Sequence, residues 1–136
     1  MTDESHDRPR PRPEKRFSKP QDHVDLGAAA EALLDEPQLT AQGHRQKALF
    51  RHGPATLALY CFEAGGHLPL HVVDGTVIIH VLEGSLRIRT PDAEHAISAD
   101  HLLRLAPGVP HDLHADKPSR MLLTVCVEGP DSHAVR

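Results

Sequence analysis

The stretch GGHLPLHVVDGTVIIHVLEGSLRI (residues 65–88) and the later stretch HLLRLAPGVPHDLHA (residues 101–115) decide how the fold is read. Both consist of short apolar runs cut by turn residues. HLPLHVV stops at Asp74-Gly75, TVIIHVLE meets SLRIRT across Glu83-Gly84, and HLLRLA runs into Pro107-Gly108-Val109-Pro110 before HDLHA. Glycine supplies positive φ and proline a pre-set φ, so each break is a turn with a mechanism. Runs of about five to eight residues bounded in this way are strands.

The same texture extends to both sides. From Gln46, KALFRH breaks at Gly53-Pro54 and ATLALYCFE at Gly65-Gly66; Pro91-Asp92 turns the chain into AEHAIS, and RMLLTVCVE closes the series. About nine strands fit, which predicts an all-β sandwich or barrel over residues 46–127. LALYCF and VIIHVL are apolar on both alternating faces, so one face meets the core and the other a second layer or a partner chain. That pattern predicts a homodimer. Upstream, DLGAAAEALLDEP predicts one short helix over residues 27–36, stopped by Pro37, within a lead-in of residues 24–45. Residues 1–23 alternate charge with proline and read as a flexible or extended arm, and residues 128–136 as a C-terminal tail.

Composition narrows the function classes. The 136 residues suit one domain. A formal charge of −4, with 15 Lys and Arg against 19 Asp and Glu, offers no field for a polyanion, so nucleic acid is not an expected partner. No apolar run approaches the roughly 20 residues of a membrane span, and the first residues are charged where a secretion signal needs an apolar core. No membrane association and a cytoplasmic location are the expectations. Cys61 and Cys126 lie in apolar runs without CxxC spacing and read as small core residues. The unusual count is 12 His, seven of them between residues 67 and 114. Histidine is where chemistry is to be sought.

The two opening stretches resemble the paired motifs of the cupin superfamily, jelly-roll β-barrels of the RmlC-like kind. VLEG (residues 81–84) and APGVPH (residues 106–111) stand almost as that family writes them, and the upstream GHRQKALFRHGPATLALYCFEAGGHLPLH is similar to small single-domain cupins without an assigned activity. The resemblance implies a jelly-roll barrel preceded by one short helix. It also implies where a metal shell would fall: the first-motif ligands at His71, Val73 and Val77, and the second-motif ligand at His111. Two of the four positions are therefore valine.

A third ligand would have to come from elsewhere, and His80 and His67 are the candidates. His67 shares a face with His71 if the strand is regular, but about 13 Å away along it unless Pro69 bends the chain. His80, three residues from Val77, falls on the opposite face unless a bulge flips it. Glu83-Gly84 and the PGVP turn read as hairpin geometry rather than chemistry.

Two functions follow. In one, His71, His111 and a third histidine hold a divalent ion, zinc, iron, nickel or copper, as an enzyme site with an open coordination position. In the other, no metal is bound, Val73 and Val77 make the old niche apolar, and His71 and His111 hydrogen-bond a small molecule, with His67 near the pocket. Whether the chain is an enzyme, and on what substrate, stays open at this level.

Overall fold

The structure, a computed structural model, describes residues 20–127. Most of the arm expected over residues 1–23, and the whole of the tail expected over residues 128–136, lie outside these residues.

The chain opens with helix α1 (Leu26–Leu34). Asp25 caps it, its side chain accepting from the Ala28 N–H at 3.0 Å, which satisfies one of the amides left free at a helix start. The helix ends two residues short of Glu36, because the residue before Pro37 is biased away from helical geometry.

Nine strands follow among the described residues: β1 (His44–His52), β2 (Ala55–Phe62), β3 (His67–His71), β4 (Gly75–Glu83), β5 (Ser85–Arg89), β6 (Glu94–Ser98), β7 (Leu102–Leu105), β8 (His111–His114) and β9 (Ser119–Val127). They form a five-stranded sheet in the order β1-β2-β9-β4-β7 and a four-stranded sheet in the order β3-β8-β5-β6, with antiparallel pairing. This is the expected all-β jelly roll with one short helix.

The core lies between the sheets. β4 alternates strictly, with Val77, Ile79 and Val81 buried inward, and Leu86, Ile88 and Leu113 meet them from the other sheet. Each such side chain contributes roughly 1.5–3 kcal/mol of burial, so a one-residue slip of β4 would sacrifice several at once. A second apolar layer explains part of the two-faced strands. α1 lays Ala30 and Leu33 on Leu59, Cys61, Leu82 and Leu122, covering one end of the outer face of the five-stranded sheet. The expectation that both cysteines are core residues holds for Cys61 alone. Cys126 is exposed, because its neighbour Val125 takes the inward position and α1 does not reach that end.

The β4–β5 corner is built around Gly84. Its φ of +84° is open to glycine, and a Cβ there would collide with Ser119 Oγ and the Pro118 carbonyl. Ser119 Oγ accepts from the Ser85 N–H at 3.1 Å and lies 3.0 Å from the Ser85 carbonyl to which it donates, tying the corner to the start of β9. Gly84→Ala is expected to cost at least about 1–3 kcal/mol of stability, read as a lower urea midpoint. An unchanged midpoint would contradict this account of the corner.

Candidate functional site

β3 is an edge strand, which is where a proline can sit in a sheet without removing a needed N–H. Its register against β8 shifts at this point. Leu68 faces Leu113 and His71 faces His111, so Pro69 and Leu70 together oppose Asp112 alone, a β-bulge. The extra residue flips the pleat. Leu68 and His71 point toward the core, while Leu70 stays exposed.

β8 is positioned by the PGVP turn. Pro107 and Gly108, the latter at φ +84°, form a turn closed by the Val109 N–H on the Ala106 carbonyl at 3.4 Å. The Gly108 N–H also donates to the Val73 carbonyl at 3.0 Å, fastening this turn to the segment after β3. His71 and His111 are thus brought face to face on neighbouring strands, ring centroids 4.3 Å apart and inclined by 59°.

Both rings are oriented in the same manner. His71 Nδ1 donates to the Pro69 carbonyl at 2.8 Å and His111 Nδ1 to the Val109 carbonyl at 3.0 Å, each two residues upstream. A carbonyl only accepts, so each Nδ1 carries the proton and each Nε2 of the neutral ring keeps a lone pair. His111 is buried. Burial pushes its pKa below the ordinary histidine value, and the neighbouring His71 adds to that, against the opposing pull of the Val109 carbonyl.

The two rings border a cavity of about 20 Å³, room for one water-sized group. Val73, Val77 and Ile79 line it with Leu68 and Leu113, and β9 contributes Met121, Leu123 and Val125 from the opposite sheet. Among the described residues no carboxylate reaches it. Asp112 is engaged by Arg89 at 2.8 and 3.0 Å, and Asp116 by Arg87 at 2.9 Å through both oxygens, on the outside of the four-stranded sheet. Arg89 holds the Asp112 carboxyl below its usual range.

The other candidate histidines are elsewhere, which corrects the expectation of a third ligand. The bulge that turns His71 inward leaves His67 opposite His114, their rings stacked at 5.7 Å, so His67 is not in the cavity lining. His80 sits on the outer face of β4 between Leu102 and Leu122, away from inward-facing Val77. Among the described residues no group of three His, Cys, Asp or Glu side chains could hold a metal ion. His44 offers a contrast: it is buried against Tyr60 and Phe62 with both ring nitrogens engaged, by Thr40 at 3.2 Å and Gln46 at 2.9 Å, so it is a core histidine. Sequence reasoning did not single out Met121. The alternation Met121, Leu123, Val125 along RMLLTVCV carried the signal.

The model of the AraC-like ligand-binding domain matches residues 56–127, which spans β2 to β9 and includes the histidine pair. The chain belongs to this family. Solved structures agree on the fold. A cupin superfamily protein from Desulfitobacterium hafniense is 17% identical over 80% of this chain and 94% of that one, with a TM-score of 0.65. An RmlC-like cupin from Desulfovibrio desulfuricans is 24% identical over 69% and 92%, with a TM-score of 0.58. One from Shewanella frigidimarina is 15% identical over 68% and 83%, with a TM-score of 0.61. No curated protein matches the sequence. The chain is a small cupin, and no helix among its described residues is long and apolar enough to cross a membrane.

The lowered pKa of His111 has a consequence for stability. Between that depressed value and the ordinary 6.5, the folded chain binds fewer protons at this site than the unfolded one. The contribution is complete above about pH 6.5 and is lost as pH falls through the folded pKa. Urea midpoints measured from pH 7.5 down to pH 5 should therefore fall more steeply for the native chain than for His111→Gln. Parallel curves would show that His111 is not held neutral by burial.

Proposed function

We propose that this cupin is a small-ligand-binding module in which His71 and His111 jointly hold one group of the ligand and Val73 and Val77 form the apolar wall beside it. One observation carries the reading: the Nδ1 protons are committed to the Pro69 and Val109 carbonyls, which leaves two Nε2 lone pairs beside one small apolar cavity. Such a pair accepts hydrogen bonds from a hydroxyl, phenol or amine, or ligates a cation. General acid or base work asks for more, a group that steadies the imidazolium as the proton moves, and among the described residues no carboxylate lines the cavity. Holding a ligand is what this arrangement supports, in keeping with the ligand-binding family.

A divalent ion at the same pair is the second reading. It is favoured by the Nε2 lone pairs, each ring being oriented through its other nitrogen as ligating imidazoles are. The residues present do not fit the four-ligand shell, because Val73 and Val77 occupy two of its positions and biological zinc or iron sites use at least three protein ligands as a rule.

Elemental analysis of tag-free protein purified without nickel resin decides between the two. Zinc, iron, nickel and copper each below about a tenth per chain are expected, and any of them near one per chain would replace the first reading by the second. In parallel, NMR titration with a fragment series of small alcohols, phenols and amines should shift the His71 and His111 ring signals and the Val73 and Val77 methyls. His71→Ala and His111→Ala should each abolish those shifts while the barrel stays folded. Fragments that bind only elsewhere would refute the site.

The strands apolar on both faces support a homodimer as well, since α1 covers only one end of the outer sheet face and Leu102, beside His80 on that face, remains 63% exposed. Light scattering at tens of micromolar should give twice the chain mass. A monomer mass would refute it.

A further inference from the structure

We propose that the histidine pair is the closed end of a groove running between the two sheets to solvent, and that the groove takes a small organic acid. Its hydroxyl or amine meets His71 and His111, its apolar body lies over Ala58 and Ala48, and its carboxylate meets Arg51. The inference rests on the reading of His71 and His111 as the ligand-holding pair and adds the far end of the ligand.

Strand register lays out the path. Residues directly opposite each other across an antiparallel pair share a face. Leu123, in the cavity wall, faces Ala58, and Ala58 faces Ala48 on the edge strand β1. A row of inward positions therefore leads from the cavity to the sheet edge. Ala58 packs on the core and is half-buried, whereas Ala48 is exposed. An inward-facing residue is exposed only where the opposite sheet does not cover it. The sheets are tied at one end of this side, where the His67 N–H donates to the Gln42 carbonyl at 2.9 Å just before β1. They part beyond it: inward His44 is buried, and inward Gln46 and Ala48 are not. The two alanine methyls form a low floor, with Gln46 and Tyr60 on one side and Arg51 and Thr56 on the other.

The charged group at the open end sets the polarity of the ligand. Thr56 faces Val125 of the cavity wall on one side and Arg51 on the other, and Arg51 Nε donates to Thr56 Oγ1 at 3.2 Å, which holds the guanidinium on the inner face. Arg45, Arg87, Arg89 and Arg120 each hold a carboxylate, but among the described residues none pairs with Arg51. Both of its Nη groups are left to donate, the arrangement that recognises a carboxylate. At the closed end the two Nε2 atoms only accept. An acid entering carboxylate first would set lone pairs against lone pairs in an apolar cavity, so the donor goes in and the carboxylate stays out. Size agrees, since the cavity of about 20 Å³ holds the head group alone. Two strand spacings separate Leu123 from Ala48, so the body spans roughly 10 Å.

The test titrates the full chain calorimetrically with 4-hydroxycinnamate and with its methyl ester, which keeps the phenol and removes the charge. NMR follows the histidine rings and the alanine methyls. The acid should shift the His71 and His111 rings together with the Ala48 and Ala58 methyls, and should bind about tenfold more tightly than the ester. Arg51→Gln should bring the acid to the affinity of the ester and leave the ester unchanged. Ala48→Leu, at an exposed position, should weaken both probes while the urea midpoint holds. Equal affinity for acid and ester, an acid affinity unchanged in Arg51→Gln, or alanine methyls that stay unmoved would each overturn the groove. If phenol fragments still shift both rings in that case, the groove fails and the ligand-binding reading stands. If no probe moves the rings, both fail.

Discussion

His71 faces His111 only because β3 takes up one extra residue between Leu68 and His71 while β8 supplies Asp112 alone. A regular β3 starting from the same Leu68–Leu113 pairing would send His71 outward. The bulge sits where a bulge is tolerated, at Pro69 on a sheet edge, and the proline carbonyl it presents is the one that orients His71. On β8 the PGVP turn does the equivalent work through the Val109 carbonyl. Two proline-shaped irregularities thus set two rings in one tautomer beside a common space.

The surrounding charges are arranged so that this space stays apolar. Carboxylates close in sequence to the site face outward into bidentate pairs with Arg87 and Arg89. Those pairs are largely exposed and contribute little stability, so their effect on the site is to keep Asp112 and Asp116 occupied elsewhere. Stability comes instead from the inward rows of β4, β5 and β9, and the same rows furnish the cavity wall. Fold and site share Val77, Ile79, Leu113 and Met121, which is why polar substitutions there would damage both.

Much of the fold was legible in the sequence, because its turns use residues whose chemistry admits few alternatives. Gly84 and Gly108 adopt the positive φ that their neighbours imply, and period-two reasoning placed Val77 inward and His80 outward correctly. The same reasoning failed for His67. It assumes a regular strand, and an added residue reverses every parity beyond it, so the bulge at Pro69 and Leu70 puts His67 and His71 on opposite faces. The helix was placed but not its packing, so the double-faced strands were credited wholly to a partner or second sheet when α1 covers part of that face. Met121 escaped notice since a methionine in an apolar strand looks like any core residue until the cavity beside it is seen.

The central claim is that His71 and His111 both present an unprotonated Nε2 to one cavity. Long-range proton–nitrogen NMR of the histidine rings above their titration range reads this directly. Both residues should show a protonated Nδ1 and a bare Nε2, and in Pro69→Ala the His71 ring alone should lose that fixed state if the bulge relaxes. Nε2-protonated rings, or rings averaging between tautomers in the native chain, would contradict the account.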